Sequence, residues 1–157
     1  MKQKSSISQK IDHVLSETRV VLPGAQALIG FQFIAIFSDR FNTLASSLQY
    51  LHMVSLLLIM VCVIFLMAPA AYHRIAQEGE DSEEFHTIAS YMILIALLFL
   101  GIGLSLDLFI TAILITQFFL VSCLITCAIL VVFYSLLVVY PLIRHEHAIK
   151  NTGVRKS

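Results

Sequence analysis

Asp107 is the residue best placed to do chemistry, being the one carboxylate with long apolar runs on both sides. An ionisable side chain in a membrane segment is costly to desolvate and commonly relays protons or cations. Gly103, Ala96 and Ala89 share its helical face, and small residues in steps of seven let another helix approach closely. Asp107 would then end a packed seam. The plainer expectation, favoured over transport, is a structural ion pair between Asp107 and Arg40. A span starting near His86 carries Asp107 to the outer interface, into one charge cluster with Asp39 and Arg40. Gln26 and Gln32 join Asp107 as ion-pathway candidates, because amide carbonyls solvate cations. Six residues apart, they lie about 120° apart around a helix. One could face the bundle and the other a neighbouring subunit, and interhelical hydrogen bonding is the plainer use of both.

At the opposite face, Glu17, Arg19, His73 and Arg74 form an inner charge cluster, with Arg144 beside them. It reads either as a proton-sensitive gate, since histidine titrates near neutrality, or as a belt of snorkelling charges. His52 and His73 bracket Ser55, Cys62 and Pro69 in steps of seven, which raises the question of haem. At 1.5 Å per residue the two imidazoles stand about 31 Å apart, so one helix cannot offer both to one haem. His145 and His147 fall in the tail. Cys123 and Cys127, with Ser122 and Thr126, make a small polar patch, but two thiols fall short of a metal site. No Walker loop, HExxH or GxSxG motif occurs. No enzyme activity, metal or cofactor is therefore expected.

Composition dictates what positions these residues. The chain has 157 residues, 59% hydrophobic and only 13% charged, at a mean hydropathy of +0.90. A soluble domain carries about a quarter charged residues. The charges are also segregated, leaving Val20–Ser38, Phe41–His73, Phe85–Leu106 and Leu108–Ile143 without any. Each run can supply the roughly 20 apolar residues that cross a bilayer as a helix. Continuous rather than alternating apolarity excludes a barrel. The expected spans are 23–38, 51–71, 87–110 and 118–142, giving an all-α domain over 23–143 between segments 1–22 and 144–157. Pro23 is expected in the opening turn of the first span. Ile7, Ile11, Val14, Leu15 and Thr18 mark an amphipathic helix over Ser8–Val21, either separate or an extension of the first span. Ser82, followed by Glu83 and Glu84, is an N-cap candidate for the third span. Only Thr116 and Gln117 mark the break before the fourth.

Lys2, Lys4, Lys10 and Arg19 precede the spans and Arg144, Lys150, Arg155 and Lys156 follow them, while the first loop has only Arg40. The positive-inside rule then puts both termini in the cytoplasm. The acids of the second loop, among them Glu78, Glu80 and Asp81, weigh little in that rule. No cleavable signal peptide is expected. With a formal net charge of +0, nucleic acid is not an expected partner.

Three stretches, ETRVVLPGAQALIGFQF at Glu17–Phe33, FLMAPAAYHRIAQEGE at Phe65–Glu80 and GIGLSLDLFI at Gly101–Ile110, resemble a family of small bacterial four-helix membrane proteins of unestablished function. The resemblance covers about Glu17 to Leu142. It implies a multi-pass protein of the bacterial inner membrane and no catalytic residues; some members carry a sodium:proton antiporter label. Asp107, Gln26 and Gln32 give the expectation of an oligomeric bundle in the lipid bilayer with protons or monovalent cations as cargo. The alternative is a structural protein that docks another membrane protein, using the small-residue seam and the acidic loop. Four spans are few for a monomeric transporter, hence the homo-oligomer.

Overall fold

The structure, a computed structural model, describes residues 7–75, 82–141 and 143. The acidic residues Glu78, Glu80 and Asp81, the basic residues Lys2 and Lys4, and the tail from Arg144, with His145, His147, Lys150, Arg155 and Lys156, lie outside them. Among the described residues every regular element is helical. Helices α1 (Ile7–Ile36), α2 (Asp39–Asn42), α3 (Ser46–Ile75), α4 (Glu83–Thr116) and α5 (Phe119–Tyr134) follow one another, with a π-helical turn at Ser135–Val139. Four helical stretches, Ile7–Ile36, Ser46–Ile75, Glu83–Thr116 and Phe119–Val139, are long and apolar enough to cross a membrane.

The amphipathic segment is helical and runs into the apolar half of α1 without a break. Pro23 consequently lies inside α1 and not in an opening turn. A proline there removes one bond, to the carbonyl four residues earlier. Exposure on the helix surface spares its ring a packing conflict. Helix α3 begins earlier than the expected span, because Ser46 to Tyr50 are helical. Ser82 is the expected cap: its hydroxyl accepts from the Phe85 amide at 3.1 Å.

The described residues fall into two compact units, the first ending at Asp107 and the second beginning at Leu108. In the first, α1, α3 and the greater part of α4 bury stripes at roughly 3.5-residue spacing. Helix α1 buries Ile11, Val14, Thr18, Ala25 and Gln32, and α3 buries His52, Ser55, Ile59, Cys62, Leu66 and Pro69. Helix α4 buries Phe85, Ala89, Ile93 and Ala96. Lipid is as apolar as leucine, so helices in a bilayer associate by close packing and hydrogen bonds. Many seam residues are accordingly small. Gly103 shows why: a Cβ there would stand 2.8 Å from Ile59 Cγ1 and 3.4 Å from the Ser55 carbonyl oxygen.

Along this bundle the packing changes character. Ile11, Val14, Phe85, Ala89 and Ile93 form one cluster, flanked by Tyr72 stacked on Phe85 at 6.1 Å. Ala25, Ile59, Cys62, Leu66 and Ala96 form a second hydrophobic cluster. Beyond it the seam turns polar.

In the second unit, α4 ends where Gln117 adopts a left-handed conformation, φ 59°. Phe118 is extended, and its amide donates to Thr116 Oγ1 at 3.2 Å. Thr116 Oγ1 also lies 3.0 Å from Ser122 Oγ, so the faint sequence break is a tied two-residue turn. The π turn falls just ahead of Pro141, which has no amide to donate and crowds the carbonyl four residues back.

Candidate functional site

Three helices converge on Asp107 in the first unit. Gln32 of α1 extends its amide between α3 and α4, donating from Nε2 to Asp107 Oδ2 at 2.6 Å and to Ser55 Oγ at 2.8 Å. Ser55 in turn donates to the Gly103 carbonyl at 2.9 Å. That short bridge exists because Gly103 lets the α3 and α4 backbones approach. His52 Nε2 stands 3.1 Å from the main-chain carbonyl of Gln32, and its Nδ1 stands 3.7 Å from Asp107 Oδ1. Phe41 of α2 meets the imidazole edge-on, with ring centroids 5.3 Å apart. Gln49 Nε2 anchors that loop by donating to the Phe41 carbonyl at 2.9 Å.

The contact with the Gln32 carbonyl orients the imidazole. A carbonyl oxygen only accepts, so Nε2 of His52 must carry a hydrogen and Nδ1 is left facing the carboxyl group. Nδ1 and Asp107 Oδ1 stand 3.7 Å apart, a separation that one bridging water can span. Gln32 Oε1 is buried and has no partner among the described residues, a spare acceptor at the same place.

Access is unequal. Gln32, His52 and Ser55 are buried, whereas the Asp107 side chain keeps 27% of its surface. A hollow of about 290 Å³, lined by Ile36, Phe41, Gln49, Tyr50 and Met53, reaches His52 from the α2 end. Toward the other end, Ala25, Ile59, Cys62, Leu66 and Ala96 pack into a hydrophobic cluster.

The expected sites are distributed as follows. Gln32 and Asp107 meet; Gln26 lies on the exposed face of α1, away from them. Asp39 and Arg40 are exposed on α2. Where Arg40 was the expected partner, the contacts made by the Asp107 carboxylate include Gln32 at 2.6 Å and His52 at 3.7 Å. Of the inner cluster, Arg19, His73 and Arg74 line one groove between α1 and α3, while Glu17 is exposed outside it. The sequence reading missed the parts played by His52 and Ser55. The signal was present: Ser55, Cys62 and Pro69 mark the buried face of α3 in seven-residue steps, and His52 lies on that face three residues before Ser55.

No group of three or more His, Cys, Asp or Glu suited to a metal occurs among the described residues. No curated protein and no solved structure matches the chain. A family described as a family of unknown function, DUF6328, matches residues 2–141. The chain belongs to the DUF6328 family.

Proposed function

We propose that this multi-pass protein takes up and passes on protons at Asp107, with His52 as the proton partner. Gln32 and Ser55 are positioning residues that hold the carboxylate. The observation that carries this reading is one carboxyl group set against an imidazole where three bilayer-length helices meet. Intramembrane carboxyl and histidine chains are a recurrent form of proton relay. The hollow beside His52 supports entry from the α2 end, and the hydrophobic cluster of Ala25, Ile59, Cys62, Leu66 and Ala96 is the barrier on the other side in this reading. Protons therefore cross by a change of access or at a subunit interface, for which we assign a homo-oligomer. A monovalent cation is the second cargo this site suits, through the carboxylate and the spare Gln32 carbonyl oxygen. The Lys and Arg distribution supports an orientation with both termini cytoplasmic, and the resemblance to small bacterial membrane proteins supports an inner-membrane setting. The docking alternative loses its seam, since Ala89, Ala96 and Gly103 are buried within the chain itself. The test is an imposed pH gradient across proteoliposomes. The wild type dissipates it and Asp107→Asn does not; equal rates would reject the reading.

A further inference from the structure

The opposite end of the bundle holds a second site with a different chemistry. Between α1 and α3 lies a groove of about 740 Å³ with apolar walls that include Leu22, Leu66, Met67 and Ala70. Arg19 and Arg74 stand on its rim. The other polar groups nearby are engaged. Thr18 donates to the Val14 carbonyl at 3.2 Å, Lys10 pairs with Glu83 at 3.0 Å, and the His73 ring packs 4.8 Å from Phe85. Neither guanidinium has a carboxylate partner among the described residues. Glu17, two positions from Arg19, points about 200° away around the helix and does not line the groove.

Two arginine forks above an apolar trough between bilayer-length helices are complementary to one kind of molecule, an amphiphile with an anionic head. Guanidinium matches phosphate oxygens in pairs, and basic pockets between transmembrane helices hold anionic lipid heads. From Leu66 to Arg74 the trough runs about 12 Å along α3, room for part of an acyl chain. We infer that this groove seats an anionic phospholipid, with its phosphate between Arg19 and Arg74 and an acyl chain along Leu22, Leu66 and Met67. A free phosphate would use the arginines and leave the trough empty.

Native mass spectrometry of the full chain, released from bilayers of equal phosphatidylglycerol and phosphatidylcholine, tests this. The wild type retains phosphatidylglycerol selectively. Arg19→Gln with Arg74→Gln lowers that preference on the order of 30-fold. Ala70→Phe fills the trough, leaves both charges and also lowers retention; circular dichroism checks that each variant folds. Undiminished retention in the double variant overturns the proposal, and undiminished retention in Ala70→Phe reduces the site to a surface charge pair and overturns the groove. Selective retention only after Glu78, Glu80 and Asp81 are neutralised would mean that the chain's own acids fill the groove, which also overturns it.

Discussion

Gln32 and Asp107, from the first and third long helices, are joined at 2.6 Å, and the same amide nitrogen reaches Ser55 at 2.8 Å. One side chain thus ties three helices at a single level of the bundle. In lipid, where burial of apolar surface does not drive association, such links supply much of the specificity.

Gln32→Leu removes both bonds and takes one donor away from the carboxyl group. At about 0.6 kcal/mol for an average interhelical bond in a membrane, and up to ~1.7, the loss is about 1–3 kcal/mol. Unfolding in mixed micelles by a denaturing detergent would read it as an earlier midpoint. An unchanged midpoint would mean that the network contributes nothing to assembly.

Gly103→Ala places a methyl group 2.8 Å from Ile59 Cγ1, so α4 must shift away from α3. Overpacking of this kind costs about 1–3 kcal/mol. Ile59→Ala removes the clashing atom at the cost of a cavity. A double-mutant cycle should find the pair less damaging together than the sum of the two single variants.

The Lys10–Glu83 bridge, at 3.0 Å, joins the beginnings of α1 and α4, but its side chains are 39% and 71% exposed. Solvent screening leaves such a pair worth less than about 1 kcal/mol. Lys10→Met should leave the unfolding midpoint nearly unchanged, which sets this contact apart from the buried network.

The α4–α5 turn depends on Gln117 at φ 59° and on the Thr116 hydroxyl. A residue with a side chain pays about 1–2 kcal/mol in the left-handed region, so Gln117→Gly should stabilise the turn and Gln117→Val weaken it. Thr116→Val removes the acceptor for the Phe118 amide and should cost about 1 kcal/mol. Hydrogen exchange at Phe118 and Phe119 would report all three changes.

The four spans were legible because segregation of charge and length in a bilayer leave few alternatives. The small-residue seam was legible too: Ala89, Ala96 and Gly103 are buried at the seven-residue spacing that announces them. The site was half legible. Asp107 and Gln32 stand out by residue type, but their meeting depends on the rotation of α1 relative to α4, which no local pattern encodes. Arg40 was favoured as the partner because charge and depth suggested it, whereas the carboxylate faces inward to Gln32 and His52. His52 was weighed only against His73, so its contact with Asp107, a helix away, went unseen. The kinship of Arg19 and Arg74 was visible as a charge cluster, and the groove beneath them was not.

Proton movement through Asp107 is tested most directly by flux into proteoliposomes of purified wild type, Asp107→Asn and His52→Gln under one imposed pH gradient, read with an internal pH dye. The wild type should collapse the gradient, Asp107→Asn should match empty vesicles, and His52→Gln should slow the flux while leaving it above that baseline. Wild-type vesicles as tight as empty ones, or Asp107→Asn as fast as wild type, would contradict the account.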